Sequence, residues 1–170
     1  MRAHNVIIIC SGQGHLSRTD VLNQTVKNIL NLKKTPILVL GPDGDDFVEH
    51  CQEIEKCEIV FDPNFEGRFF SGVKAGLHAT NGAAFVVPLS EKSADSAHWA
   101  VWVTMEKLLI DPNTSLGADV VWPVTREADF LPRLITSRGV TSLKKLPSTT
   151  DWESSDQIVG CSLYLGNKDC

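Results

Sequence analysis

The segment Cys10-Ser11-Gly12-Gln13-Gly14-His15-Leu16-Ser17-Arg18 holds the residue types best suited to bind a phosphorylated ligand. Gly12 and Gly14 let the backbone approach a phosphate closely, Ser11 adds a hydroxyl, and a helix start behind them favours an anion. Arg18 is the one cation placed to meet that charge. The spacing stops short of a dinucleotide fingerprint, because position 17 is Ser where a third Gly is required, and no Gly-Lys-Ser/Thr of a Walker loop occurs. A glycine turn that simply reverses the chain fits the same residues. Other constellations carry less. Ser11-Gly12 and Ser71-Gly72 lack the Gly-x-Ser-x-Gly of a nucleophile elbow, and His15 has no paired Asp or Cys in evidence. His50, Cys51 and Cys57 lie near one another, but a structural zinc needs four well-spaced ligands; buried thiols beside an exposed His are the simpler reading.

These residues need elements to position them. Val6-Ile7-Ile8-Ile9 is apolar without alternation, as in a strand covered on both faces, and predicts a strand over Asn5–Cys10. Further strands are expected at Thr35–Leu40, Glu58–Phe61, Ala83–Leu89, Ala118–Val124, Phe130–Ile135 and Ile158–Leu165. Helical spacing predicts helices at Asp20–Leu32, capped by Asp20, and at Asp45–Glu55, Gly67–Thr80, Ser96–Ile110 and Val140–Leu146, with Pro147–Ser155 a polar loop. Lys33-Lys34 and Lys144-Lys145 read as solvated helix ends, and Trp99 and Trp102 as residues packed on the sheet rather than a stacking platform with His98. Strand and helix alternate, which predicts a single three-layer α/β/α, Rossmann-like domain over residues 1–170 with a mixed, mostly parallel sheet of about seven strands. Ligands of such sheets bind outside the carboxyl ends of the strands. That rule selects Ser11–Arg18, Asp62–Ser71 and Ser90–Asp95.

Composition narrows the function classes. Of 170 residues 42% are hydrophobic and the net charge is −5, which excludes disorder and gives no basic footprint for nucleic acid. The longest apolar runs fall far short of the ~20 residues of a membrane span. Five cysteines without a C-x-x-C pair, and no signal peptide, predict reduced thiols in a cytoplasmic protein.

The stretch Asp62-Pro63-Asn64-Phe65-Glu66-Gly67-Arg68-Phe69-Phe70-Ser71-Gly72-Val73-Lys74-Ala75-Gly76-Leu77, in this order of segments, resembles the MobA-like nucleotidyltransferases, relatives of the molybdenum-cofactor guanylyl- and cytidylyltransferases. The resemblance extends to Ala83–Leu89 as the central strand, to Gly117–Val124 and to Phe130–Ile135, and so covers nearly the whole chain. It implies a nucleotidyltransferase fold, a nucleoside triphosphate donor, Mg²⁺ and a phosphorylated or sugar-like acceptor. It implies nucleotide contacts at Ser11, Gly12, Gly14, Asn64, Gly67 and Ser71, with catalytic charge from Arg18 and Glu91 and metal ligation by Glu91 or Asp95. Ser71 equally fits a hydroxyl that satisfies backbone N–H groups at a helix start, Asn64 and Glu66 fit turn formers, and Arg68 and Lys74 fit solvated charges.

Three positions depart from the family pattern. Its first loop carries Arg and Lys that hold the triphosphate; aligned without gaps, Leu16 and Val21 stand there, and a two-residue insertion restores only Arg18. Ser90 replaces the metal-binding Asp, and Leu131 replaces the His before Pro132. These departures imply transfer activity that is lost or weakened on a retained scaffold. The alternatives are a non-catalytic nucleotide-binding or protein-interaction module, or a binder of another phosphorylated small molecule.

Overall fold

The computed structural model describes residues 5–10, 18–42, 44–64, 68–89, 99–100, 102–104, 106, 117–123, 132–152, 155–164 and 167–168. Its centre is β1 (Asn5–Ile9), flanked by β2 (Thr35–Leu40) and β4 (Ala84–Pro88), both parallel to it, with β3 (Glu58–Phe61) parallel to β2. β6 (Arg133–Ile135) runs antiparallel between β4 and β5 (Val120–Pro123); β7 (Gly160–Tyr164) is parallel to β5, and β8 (Asn167–Lys168) closes the far edge antiparallel. The order is β3-β2-β1-β4-β6-β5-β7-β8, a mixed, mostly parallel sheet. The two-residue β8 is the strand the sequence pattern does not announce.

Successive side chains of β1 point to opposite faces. Val6 and Ile8 join Leu22, Val26 and Ile29 of α1 (Thr19–Asn31) and Phe47 of α2 (Asp45–His50). Ile7 and Ile9 join Phe70, Val73 and Leu77 of α3 (Phe69–His78) and Val140 and Leu143 of α4 (Ser137–Leu143). Burial on both sides explains the unbroken apolar run, and helices on both faces make the three layers.

Several boundaries and roles differ from expectation. Arg18, not Asp20, occupies the cap position of α1, and no side chain caps it; Asp20 lies inside the first turn. The second helix stops at His50 because Cys51 turns extended, and a single 3-10 turn, Ile54–Lys56, follows. α4 starts at Ser137, earlier than predicted, because the Thr136 hydroxyl accepts from the Gly139 N–H at 3.0 Å. Residues 99, 100, 102–104 and 106 are helical, and Trp99 packs edge-on against Trp102 with ring centroids 3.9 Å apart, both buried against the sheet.

The polar loop after α4 carries a buried aromatic: Trp152 stacks on Phe70 at 5.9 Å and meets Phe69 at 5.8 Å. Lys34 and Lys144 are not solvated ends. Lys34 Nζ bonds both carboxylate oxygens of Glu106, at 3.1 and 2.9 Å, and Lys144 Nζ donates to the Thr80 carbonyl at 3.2 Å. Cys10, Cys51 and Cys57 are free thiols, whereas Cys161 is disulfide-bonded, which corrects the expectation of five reduced cysteines. Among the described residues no helix is long and apolar enough to cross a membrane.

Candidate functional site

The chain leaves β1 through α1 to β2 on one side, and returns through α3 to β4 on the other. The strand order therefore reverses between β1 and β4, and it is outside the carboxyl ends of the strands at such a switch point that sheets of this kind bind ligands. Backbone bonds carry the pairing to that rim: Leu89 N–H donates to the Ile9 carbonyl at 3.1 Å, and Cys10 N–H to that of Val39 at 3.0 Å. Arg18 reaches the same place. Its Nη1 donates to the Leu89 carbonyl at 3.4 Å, so the cation from the first loop stands at the end of β4. Among the described residues this bond engages one N–H of a five-donor guanidinium. A cation at a helix N-terminus also has the wrong sign for the helix dipole, a cost that a bound anion would offset.

A second part of the site lies two strands away, where β3 ends. Asp62 N–H bonds the Leu40 carbonyl at 2.9 Å, which fixes the start of the loop. Asp62 Oδ1 accepts from Asn64 N–H at 3.0 Å, an Asx turn that sets the Pro63-Asn64 corner. Ser71 Oγ donates to the Asn64 carbonyl at 3.3 Å. The hydroxyl thus ties α3 to the loop and does not cap its own helix. Asp62 is only 5% exposed, and its Oδ2 has no hydrogen-bond partner. A buried carboxylate oxygen without a donor among the described residues is costly, and such an exception calls for an explanation. The cleft here has a volume of about 390 Å³, lined among others by Phe61, Asp62, Asn64, Ser71, Lys74 and His78. Phe61 is 62% exposed at its lip.

The cations beside Ser71 have other partners. Lys74 Nζ donates to the Leu146 carbonyl at 2.7 Å and Arg68 Nη1 to that of Thr149 at 2.9 Å. Together with the Lys144 bond to Thr80 they strap the loop after α4 onto α3. A second cavity, of about 350 Å³, lies under this strap between Arg68, Phe69 and Trp152.

The sequence-derived candidates are thus placed unequally. Asn64 and Ser71 are joined by a hydrogen bond, and Arg18 lies at the end of β4. Ser11, Gly12, Gly14, Gly67, Glu91 and Asp95 lie outside the described residues, as do His15, Glu66, Ser90 and Leu131. Asp62 was missed as a functional candidate. Its position directly after an apolar strand was the available signal. Among the described residues no group of three His, Cys, Asp or Glu side chains could hold a metal ion. Leu89 and Pro88 bring no carboxylate to the end of β4, so the described residues do not build a Mg²⁺ site.

No protein-family model matches the chain, and no curated protein matches it. Solved structures do. Molybdopterin-guanine dinucleotide biosynthesis protein A from Archaeoglobus fulgidus superposes with a TM-score of 0.61 over 94% of this chain and 83% of that one, at 11% identity. The fold is that of the nucleotidyltransferases. The 4-diphosphocytidyl-2C-methyl-D-erythritol synthase from Anaerococcus prevotii gives 0.62 over 94% and 87%, at 12% identity. The Mycobacterium sp. strain JC1 homologue of Mycobacterium tuberculosis rv0371c gives 0.63 over 97% and 87%, at 15% identity. At these identities the likeness carries the fold and leaves the chemistry to the residues. In this nucleotidyltransferase fold Arg18 and the Asp62–Ser71 loop stand on the carboxyl-end side of β4 and β3.

Proposed function

We propose that the chain binds a nucleoside triphosphate across the carboxyl ends of β1, β3 and β4, and serves nucleotidyl transfer to a phosphorylated or sugar-like acceptor. The carrying observation is the bond of Arg18 to the Leu89 carbonyl, which brings the cation that follows the first loop to the end of β4, beside the switch point. The guanidinium holds phosphate charge, with Ser11, Gly12 and Gly14 as backbone and hydroxyl partners. Asp62 Oδ2 accepts from a hydroxyl or amino donor of the nucleoside, with Asn64, Gly67 and Ser71 shaping its seat. Mg²⁺ is the metal that the family resemblance implies, and Glu91 and Asp95 are the residues that would hold it.

A second reading is supported by the strap. Arg68 and Lys74, the cations nearest Ser71, are committed to backbone carbonyls, which leaves Arg18 with less help than phosphoryl chemistry ordinarily needs. A non-catalytic nucleotide-binding module on the same fold fits that shortage, as does a binder of another phosphorylated small molecule. Calorimetric titration of GTP, CTP, ATP and UTP into the wild type and Arg18→Ala tests the binding. Affinity for one triphosphate that falls at least tenfold in Arg18→Ala is expected. Equal affinity in both proteins would remove Arg18 from the site. Incubation of the bound triphosphate with phosphorylated acceptors then separates transfer from binding alone.

A further inference from the structure

The edge of the sheet at β3 stands open. Among the described residues no strand pairs with β3 on the side away from β2. Asp62 N–H bonds the Leu40 carbonyl at 2.9 Å, and backbone groups alternate between the two edges along a strand. Val60 and Glu58 therefore turn their N–H and C=O to β2, and those of Ile59 and Phe61 point outward. No hydrogen bond among the described residues takes them. An edge of this kind is a template for another strand.

The side chains along it are those of a contact surface. The register sets Ile59 beside Leu38 and Phe61 beside Leu40. Leu38 and Leu40 are buried with Phe47 in the core under α1, so Ile59 and Phe61 point to that same face. The short α2 stops at His50 and leaves them uncovered: Ile59 is 37% and Phe61 62% exposed. Among the described residues Val159 is the one other large apolar side chain left so open.

Charge decides which partner fits. Residues 45–58 hold six carboxylates, Asp45, Asp46, Glu49, Glu53, Glu55 and Glu58, against Lys56 alone, a net of −5 that equals the net charge of the whole chain. All but Glu53 are exposed, and Glu53 is the one paired with Lys56. α2 and the 3-10 turn, which carry most of them, pack on the face to which Ile59 and Phe61 point. A second copy of the chain would set two such acidic segments side by side, and like charges across a strand pair are destabilising.

We propose that the open edge of β3 takes an extended, cationic segment of a partner protein as an added strand. Main-chain bonds to Ile59 and Phe61 supply the pairing, and their side chains seat the segment's aliphatic residues. The carboxylates of residues 45–58 meet its lysines or arginines and so select the partner. The surface runs along β3, whereas Arg18 stands at the end of β4; Phe61, at the lip of the cleft, is the residue shared with the site described above.

The test uses the full chain and three synthetic peptides of seven residues. The first alternates lysine and valine. The second has glutamate for each lysine. The third has proline for each valine, which keeps the charge and removes the ladder donors. The lysine–valine peptide is expected to slow hydrogen exchange at the Ile59 and Phe61 amides, and to lose about tenfold in affinity between about 50 and about 500 mM salt. The other two peptides on the wild type, and the lysine–valine peptide on Ile59→Lys, are expected to bind at least about tenfold more weakly. No binding of the lysine–valine peptide, equal binding of the proline peptide, or protection elsewhere with β3 unchanged would overturn the proposal. So would a wild-type dimer that Ile59→Lys dissolves, since a second copy would then be the occupant. The three peptides decide on the wild type even if the variant does not fold.

Discussion

Ser71 and Asn64 are joined by a 3.3 Å bond from the serine hydroxyl to the asparagine carbonyl, and through it the first turn of α3 holds the loop that carries Asp62. Ser71 is 3% exposed, so its own hydroxyl has little access to water and relies on this carbonyl for a partner. Ser71→Ala is expected to cost about 1 kcal/mol, in the range of a lost partly buried hydrogen bond, and to weaken nucleotide affinity through a looser loop. Urea unfolding and titration on the same variant measure the two effects.

Asp62 gives the opposite signature. One of its oxygens accepts from Asn64 N–H, and the other is buried without a donor. Asp62→Asn keeps the shape and removes a charge that is only half satisfied. Stability of the ligand-free protein should rise by up to about 1 kcal/mol while nucleotide affinity falls at least tenfold, the trade expected where a binding site stores strain. A loss of stability together with unchanged affinity would mean that the carboxylate serves the loop alone.

Lys34 and Glu106 join the end of α1 to the helical segment at residue 106, with side chains only 10% and 11% exposed. Removing one partner takes this counter-charge from a nearly buried charge. Glu106→Ala is expected to cost about 3–5 kcal/mol, whereas replacing both by apolar residues should cost far less. Thermal unfolding of Glu106→Ala and of the double variant Lys34→Met/Glu106→Leu checks the difference.

Gly139 lies in the first turn of α4 against the Asp119 carbonyl, and an added Cβ would overlap that backbone oxygen. Backbone cannot give as a side-chain end can. Asp119 is itself pinned there: its Oδ2 accepts from Val159 N–H at 3.2 Å, and Arg138 Nε lies 3.3 Å from Oδ1 as an ion pair without hydrogen-bond alignment. Gly139→Ala should therefore destabilise by about 1–3 kcal/mol, as overpacking does, despite the better helix propensity of alanine. Its denaturation midpoint settles the sign.

The parallel core was legible because its strands are buried on both faces and so spell unbroken apolar runs, as Val6–Ile9 does. Asn64 and Ser71 were each singled out by the family-like stretch, but not as partners of one another, because a hydroxyl-to-carbonyl bond across seven positions leaves no mark in the sequence. What escaped was non-local. Arg68, Lys74 and Lys144 end on carbonyls between 64 and 81 positions away, and a lysine in a sequence carries no mark of such a partner. Trp152 sits in a run rich in Ser and Thr, and only the approach of Phe69 and Phe70 makes it core. Thr136 was a readable cap that the apolar residues further along α4 drew attention from.

The central claim is that the chain still takes a nucleoside triphosphate at the carboxyl ends of β1 and β4. The most direct measurement is thermal unfolding with GTP, CTP, ATP and UTP in turn, with and without Mg²⁺. A triphosphate at a hundred times its dissociation constant adds about 2.7 kcal/mol, a rise of about 5–10 °C for a domain of this length. One triphosphate raising the melting temperature of the wild type, and raising that of Arg18→Ala by no more than about half as much at the same concentration, is the result the account predicts. No rise with any of the four, with or without Mg²⁺, would contradict it.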